Sequence, residues 1–218
     1  MTNLLHKHRD PAWLDEVALW ISGQLAHLRR AATGPLVEVR VLPWSAVFRC
    51  PSDGGDVYFK ACAPSQGFEP ALALFLAERR PDDVLPVLAA DLRRAWLLLP
   101  DGGDVLRAAL ANDPADVARH WAAILPQLAA LQVALANDAA HLLALGVPDR
   151  RPAALPGLYA ALLDDADHWP LDHPDGLTAA ALPPLRALTP RLSSLCEELE
   201  RLGPAPPHDH ADHPESHV

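Results

Sequence analysis

Lysine is nearly missing from this chain: of its 18 Lys and Arg residues only Lys7 and Lys60 are lysine. Cysteine is scarce as well. Cys50, Cys62 and Cys196 are the only three, an odd number without the paired spacing of a zinc site or a disulfide framework. They read as small buried hydrophobes, two in strands and one in a helix. No apolar run approaches the roughly 20 residues of a membrane span. Residues 1–10 are polar, with no apolar signal-peptide core behind them, so a cytoplasmic protein without membrane partners is expected. Positive charge is the minority sign. A net charge of -10 argues against a general nucleic-acid binder, which needs clustered Lys and Arg to neutralise phosphates. Walker-type loops, dinucleotide fingerprints and Ser-His-Asp motifs are absent too.

What is present suits a folded protein. With 218 residues, 50% of them hydrophobic, the chain is able to bury the core of one large domain or two small ones. The excess of Arg over Lys, with abundant Ala, Pro, Leu and Asp, resembles GC-rich coding pressure. A lysine held mid-strand against that bias suggests a position that wants a compact ammonium rather than a planar guanidinium. Lys60 is that residue.

Along the chain, apolar positions at Trp13, Val17, Trp20, Ile21, Leu25 and Leu28 keep a helical period over residues 11–31, started by Pro11 after Asp10 and ended by Thr33-Gly34-Pro35. The period then changes to two. Strands are expected at 36–42, 46–50 and 56–62, with a short turn over Pro43-Trp44-Ser45 and a hairpin connection over residues 51–55. A helix over 69–78 follows, then strands at 85–89 and 95–99 joined by a turn over residues 91–93. Asp101-Gly102-Gly103 closes this part. Helices are expected at 114–136, capped by Asp113, at 155–164, and at 177–202 with kinks near Pro183-Pro184 and Pro190. From residue 203 all periodicity fails. The boundaries drawn are a lobe at 1–103, a helical part at 104–203 and a disordered His/Asp-rich tail at 204–218. Trp13, Trp20, Trp96, Trp121 and Trp169 read as core anchors, and Arg150-Arg151 as a solvated turn rather than an anion contact.

A strand lysine, a helical glutamate soon after it and a Gly-rich hinge between a sheet lobe and a helical lobe suit an ATP-using transferase. Such a protein needs a fixed cation on the α- and β-phosphates and a carboxylate to fix that cation. Lys60 and Glu69 suit the two roles. The plainer alternative is a solvated strand lysine, with Glu69 merely complementing a helix N-terminus for about 0.3–1 kcal/mol. Spacing alone leaves both open.

The segments at 43–49, 57–61 and 68–72, with 84–89 and 94–103, resemble the N-lobe of aminoglycoside phosphotransferase-like proteins, which share the protein-kinase-like fold. The resemblance extends over about residues 10–203 and is most specific between 43 and 107. It implies an α+β, protein-kinase-like fold: a five-stranded antiparallel N-lobe with one helix, plus a partial helical C-lobe. It implies that Lys60 holds ATP phosphates and Glu69 fixes it. Trp44 and Ser45 would then lie in the loop over the phosphates, and Leu99 and Asp101 in the hinge beside the adenine. The implied activity is phosphotransfer from ATP, with magnesium, to a small-molecule hydroxyl.

The chain departs from the family where the catalytic loop His-Gly-Asp-x-His-x-x-Asn belongs. His210 and Asp212 can be laid on its His and Asp, which makes Asp212 the nominal base. The second His falls on Pro214 and the Asn on His217, and histidine is a poor magnesium ligand. The family's second metal-binding Asp has no counterpart, so no residue is assigned to a metal, and the C-terminus reads as truncated or frameshifted. Two alternatives follow: a non-catalytic, nucleotide-binding pseudokinase remnant, or a metal-binding protein working through its His-rich tail.

Overall fold

The computed structural model describes residues 7–103, 114–165 and 177–202, with side chains from residue 117 onward in the helix that begins at Pro114. Asp113, Trp169 and the whole tail with Asp212 lie outside the described residues. Helix α1 (Pro11–His27) starts where Asp10 accepts the Ala12 N–H at 3.0 Å and Pro11 occupies the first turn. Trp13, Val17, Ile21 and Leu25, one per turn, are buried. The helix ends four residues short of the expected 31, because Arg29 adopts φ +58 and the Arg30 N–H turns back to the Leu25 carbonyl at 2.8 Å. That closure usually falls to glycine.

Strands β1 (Val37–Leu42), β2 (Ser45–Cys50) and β3 (Val57–Cys62) precede helix α2 (Glu69–Arg79), and β4 (Ala89–Asp91) and β5 (Trp96–Pro100) follow it. All pair antiparallel in the order β1-β2-β3-β5-β4. This is the expected sheet with one helix inserted after the third strand, an α+β architecture. β1 does not keep its expected alternation. Its register shifts between Glu38 and Arg40, a bulge that leaves Val39 outward and 53% exposed. β4 lies later than the expected 85–89. Pro86 has no N–H to give a ladder, and Asp91 closes the strand by accepting the Arg93 and Arg94 N–H groups at 3.0 Å each.

Period-two alternation gives the sheet two faces. Ala46, Phe48 and Cys50 of β2, Val57, Phe59 and Ala61 of β3, and Trp96 and Leu98 of β5 are buried with the four α1 residues in one cluster. Its centre is aromatic. Phe59 is fully buried, with its ring 5.2 Å from Trp96 and 5.8 Å from Trp20 between centroids, and Trp13 reaches Phe48, Phe59 and Trp96. Edge-to-face pairs of this kind add about 0.5–1.5 kcal/mol each beyond the area they bury. The opposite face carries Lys60.

The remaining described helices are α3 (Pro114–Ala134), α4 (Ala139–Ala144), α5 (Leu155–Asp164), α6 (Leu182–Arg186) and α7 (Thr189–Leu202). The chain forms two compact units, Met1–Val147 and Pro148–Val218. The boundary drawn at Gly103 marks where strand composition gives way to helix. In the first unit, α4 meets α2 through Phe75 against the His141 ring at 4.8 Å, and Arg79 pairs with Asp138 at 3.5 Å. Trp121 does not anchor a core: residues 121–130 of α3 are exposed on every side, Trp121 by 49%. In the second unit the expected helix over 177–202 is broken rather than kinked. Ala187 and Leu188 form a turn between α6 and α7, since prolines at 183, 184 and 190 withhold amide donors. All three cysteines are buried and free.

Candidate functional site

The sheet face turned away from α1 is read from the register. Val47 of β2 and Leu97 of β5 sit directly across from Lys60; Arg49 and Leu99 sit across from Tyr58; Ser45 sits across from Cys62. Same-face neighbours therefore form three tiers along β3, with Lys60 in the middle. β3 ends at Cys62, and the chain makes a short 3-10 turn at Pro64–Gln66 before α2 begins at Glu69. That compact connection brings the first residue of α2 back over the strand it has just left. Glu69 also lies in the first helical turn, where a negative charge is favoured.

Lys60 Nζ donates to Glu69 Oε2 in an ion pair, and Cys62 Sγ lies 3.5 Å from the same oxygen. The Lys60 and Glu69 side chains retain 27% and 25% of their exposure. Both charges keep partial access to water and to a ligand, and each has a fixed partner. Burial, then the Glu69 charge, push the Cys62 thiol up to about 12, only partly offset by Lys60. Cys62 therefore stays protonated and serves Glu69 as a donor. With Lys60 and Cys62 both on Oε2, the carboxylate is held from two sides by the same strand.

The other expected residues are distributed around this pair. Ser45 is buried at the start of β2, one tier beyond Lys60. Trp44 is half exposed in the two-residue turn between β1 and β2, and its carbonyl accepts the Ala63 N–H at 2.9 Å. The turn is thereby tied to the exit of β3. Leu99 lies on the Lys60 face one tier toward the chain's first glycine pair after β5. Asp101 follows at the strand end, where its Oδ1 accepts the Gly103 N–H at 2.9 Å. Gly103 takes φ +87, and Leu85 packs so close to Gly102 that an added Cβ would meet it at 3.0 Å. Among the described residues the ladder with β4 stops at Leu98. The structure thus brings Lys60, Glu69, Ser45 and Leu99 to one face, with Trp44 and Asp101 at its two ends. Asp212 falls outside the described residues.

Two contributions were not expected. Cys62 entered as a bland buried hydrophobe, although its place two residues after Lys60 already put both side chains on one face. Arg49 donates to Asp56 at 2.6 Å at the Asp101 end of the face, with Tyr58 and Asp101 within electrostatic reach of its guanidinium. Strand alternation alone would have found Arg49; its partner comes from the hairpin. A cavity of about 400 Å³ opens at the far end of β3, lined by Trp13, Cys62, Gly67, Arg94 and Trp96 among others, and stops short of Lys60 and Glu69. Among the described residues no group of three or more His, Cys, Asp or Glu is placed to hold a metal ion, and no helix is long and apolar enough to cross a membrane. No protein-family model and no curated protein matches the chain.

Proposed function

We propose that the chain binds ATP on the Lys60 face of its sheet and is a phosphotransferase of the protein-kinase-like, aminoglycoside phosphotransferase-like kind, acting on a small-molecule hydroxyl. The observation that carries this reading is the Lys60–Glu69 pair, built between a central strand and the next helix and left partly open. An ammonium fixed in this way suits the α- and β-phosphates, which need a positioned cation more than any covalent chemistry from the protein. Trp44, half exposed, suits the phosphate end, whereas Ser45 is buried there. Half-buried Val47 and Leu99 offer apolar surface to a base, and the end of β5 near Asp101 offers backbone groups. When bound, ATP supplies the transferable phosphoryl group. Magnesium would be expected beside it, but the described residues do not fit a metal site and no step is assigned to one. Asp212 remains the nominal base by resemblance.

A second reading, nucleotide binding without turnover, is favoured by the residues in the catalytic-loop stretch: Pro214 and His217 stand where the resemblance calls for His and Asn. One experiment separates the two. Thermal unfolding with and without Mg-ATP should rise by about 5–10 °C at 100 times Kd, and Lys60→Ala should abolish the rise. Radiolabelled γ-phosphate should then move from ATP to a hydroxyl in a panel of amino sugars, amino alcohols and nucleosides. A shift without transfer selects the binding-only reading. No shift in the wild-type chain overturns both.

A further inference from the structure

Helix α7 shows a second apolar stripe that its own unit does not use. Its inner side carries Cys196, buried, with Thr189 and Ser193 half-buried beside it and Glu200 close enough to act on the Arg151 charge. About 100° around the helix, Leu195, Leu199 and Leu202 are 49%, 56% and 74% exposed, and Leu188, in the turn that leads into the helix, is 47% exposed on the same side. With half-buried Leu192 they repeat at intervals of four, three, four and three residues, the seam of a two-helix coiled coil. The stripe borders a groove of about 410 Å³ lined by Tyr159, Leu188, Arg191, Leu192 and Leu195, and α5 adds exposed Leu158 and Leu162 in the same unit. An exposed leucine row of this size marks an interaction surface.

We propose that this face pairs with the same face of a second copy of the chain, the two α7 helices running antiparallel. The charges flanking the seam select that occupant and that direction. With Leu192 and Leu199 at the a positions and Leu188, Leu195 and Leu202 at d, the g positions hold Arg191 and Glu198, while the e positions hold Thr189 and Cys196. In an antiparallel pair, g faces g. Setting Leu192 opposite Leu195 of the second copy, and Leu188 opposite its Leu199, brings Arg191 beside Glu198 of the second copy, and by symmetry the reverse pair forms too. A parallel pair would set g against e and make neither contact. Both residues are exposed. The exposed α3 row of Trp121, Ile124, Leu125 and Leu128 has no charged residue between 121 and 134 to choose a partner, and carries no such proposal. This inference does not depend on the ATP reading.

The seam is short, so a dissociation constant on the order of 1–100 μM is expected for so small an interface. Sedimentation equilibrium of the full chain from about 5 to 500 μM should follow a monomer–dimer equilibrium. Leu195→Glu, at a half-exposed site outside the core, should weaken it by about 100-fold or more with an unchanged circular dichroism spectrum. Arg191→Glu and Glu198→Arg should each weaken it by about 5–10-fold, since each places two like charges together. The double variant Arg191→Glu/Glu198→Arg should return to within about twofold of wild type. A wild-type chain that stays monomeric throughout overturns the proposal, as would be the case if another part of the chain covered the stripe. A double variant as weak as the single ones overturns the antiparallel register.

Discussion

Replacing Glu69 by Gln removes one charge, keeps the side-chain shape, and leaves an amide oxygen able to accept from Cys62. With 27% and 25% exposure at its two ends, the Lys60–Glu69 pair lies between solvated pairs, worth about 0.2–1 kcal/mol, and buried pairs, whose rupture costs about 3–5 kcal/mol. A value of about 1–2 kcal/mol follows by interpolation, and at about 2–4 °C per kcal/mol for a chain of this size the melting temperature should fall by about 2–8 °C. Urea unfolding followed by tryptophan fluorescence is a suitable assay, because Trp13 and Trp96 are buried in the sheet core. The cycle of wild type, Lys60→Met, Glu69→Gln and the double variant isolates the pair, and its coupling energy should be about 1–2 kcal/mol. If Lys60 grips phosphates only while Glu69 holds it, Glu69→Gln should also weaken ATP binding by about tenfold, equivalent to about 1.4 kcal/mol. A coupling energy below about 0.3 kcal/mol would refute the positioning argument, because the two side chains would then be acting independently.

Other outcomes test the fold and the thiol. Phe59→Ala should cost about 3–5 kcal/mol in urea unfolding, since it empties the centre of an aromatic cluster. Ala95 holds φ +55 in the β4–β5 turn, so Ala95→Gly should stabilise the chain by about 0.5–1 kcal/mol in the same assay; a loss of stability would count against the turn geometry. Cys62, raised to about 12 from an ordinary 9.0, stays protonated in the folded chain after the unfolded chain ionises. Its contribution is therefore complete below about pH 9 and is lost as pH rises towards 12. Stability measured across that window should decline less steeply in Cys62→Ala. A thiol reagent at pH 8 should label folded Cys62 slowly, and faster in Glu69→Gln, where the opposing charge is gone.

Much of the sheet was legible because period-two alternation and turn residues act locally. Strands 46–50 and 56–62, and the helix after them, needed nothing from the rest of the chain. The misplacements have a common cause. β4 reads as 85–89 by hydrophobicity, but Pro86 cannot join a ladder and the Asp91 carboxylate decides where the strand ends. Helix α1 stops at His27 because Arg29 accepts a left-handed conformation that sequence reading reserves for glycine. Val39 is apolar yet outward because a bulge changes which residues oppose one another. In each case one backbone event, invisible to periodicity, overrode a correct count of apolar positions. Helix α4 escaped notice for a related reason: six residues are too few to show a period.

The site divides in the same way. Lys60 and Glu69 were suggested by rarity and spacing, but their meeting depends on how tightly residues 63–68 turn, and Pro64–Gln66 sets that in a single 3-10 turn. Once the turn is known, strand parity assigns the rest. Phe59 and Ala61 must face α1, so Lys60 and Cys62 must face away, and a carboxylate returning over the strand meets both. The stability of the α1 side and the openness of the Lys60 side are thus one property. Aromatic packing on a single face carries the core and leaves the other face free to hold a charge. A large apolar residue at position 60 would close that face and leave the Glu69 carboxylate without its cation, and so should lower stability and remove the ATP-dependent shift together. A variant such as Lys60→Leu that still responded to ATP would separate the fold from the site, and the proposed function would have to be sought elsewhere on the chain.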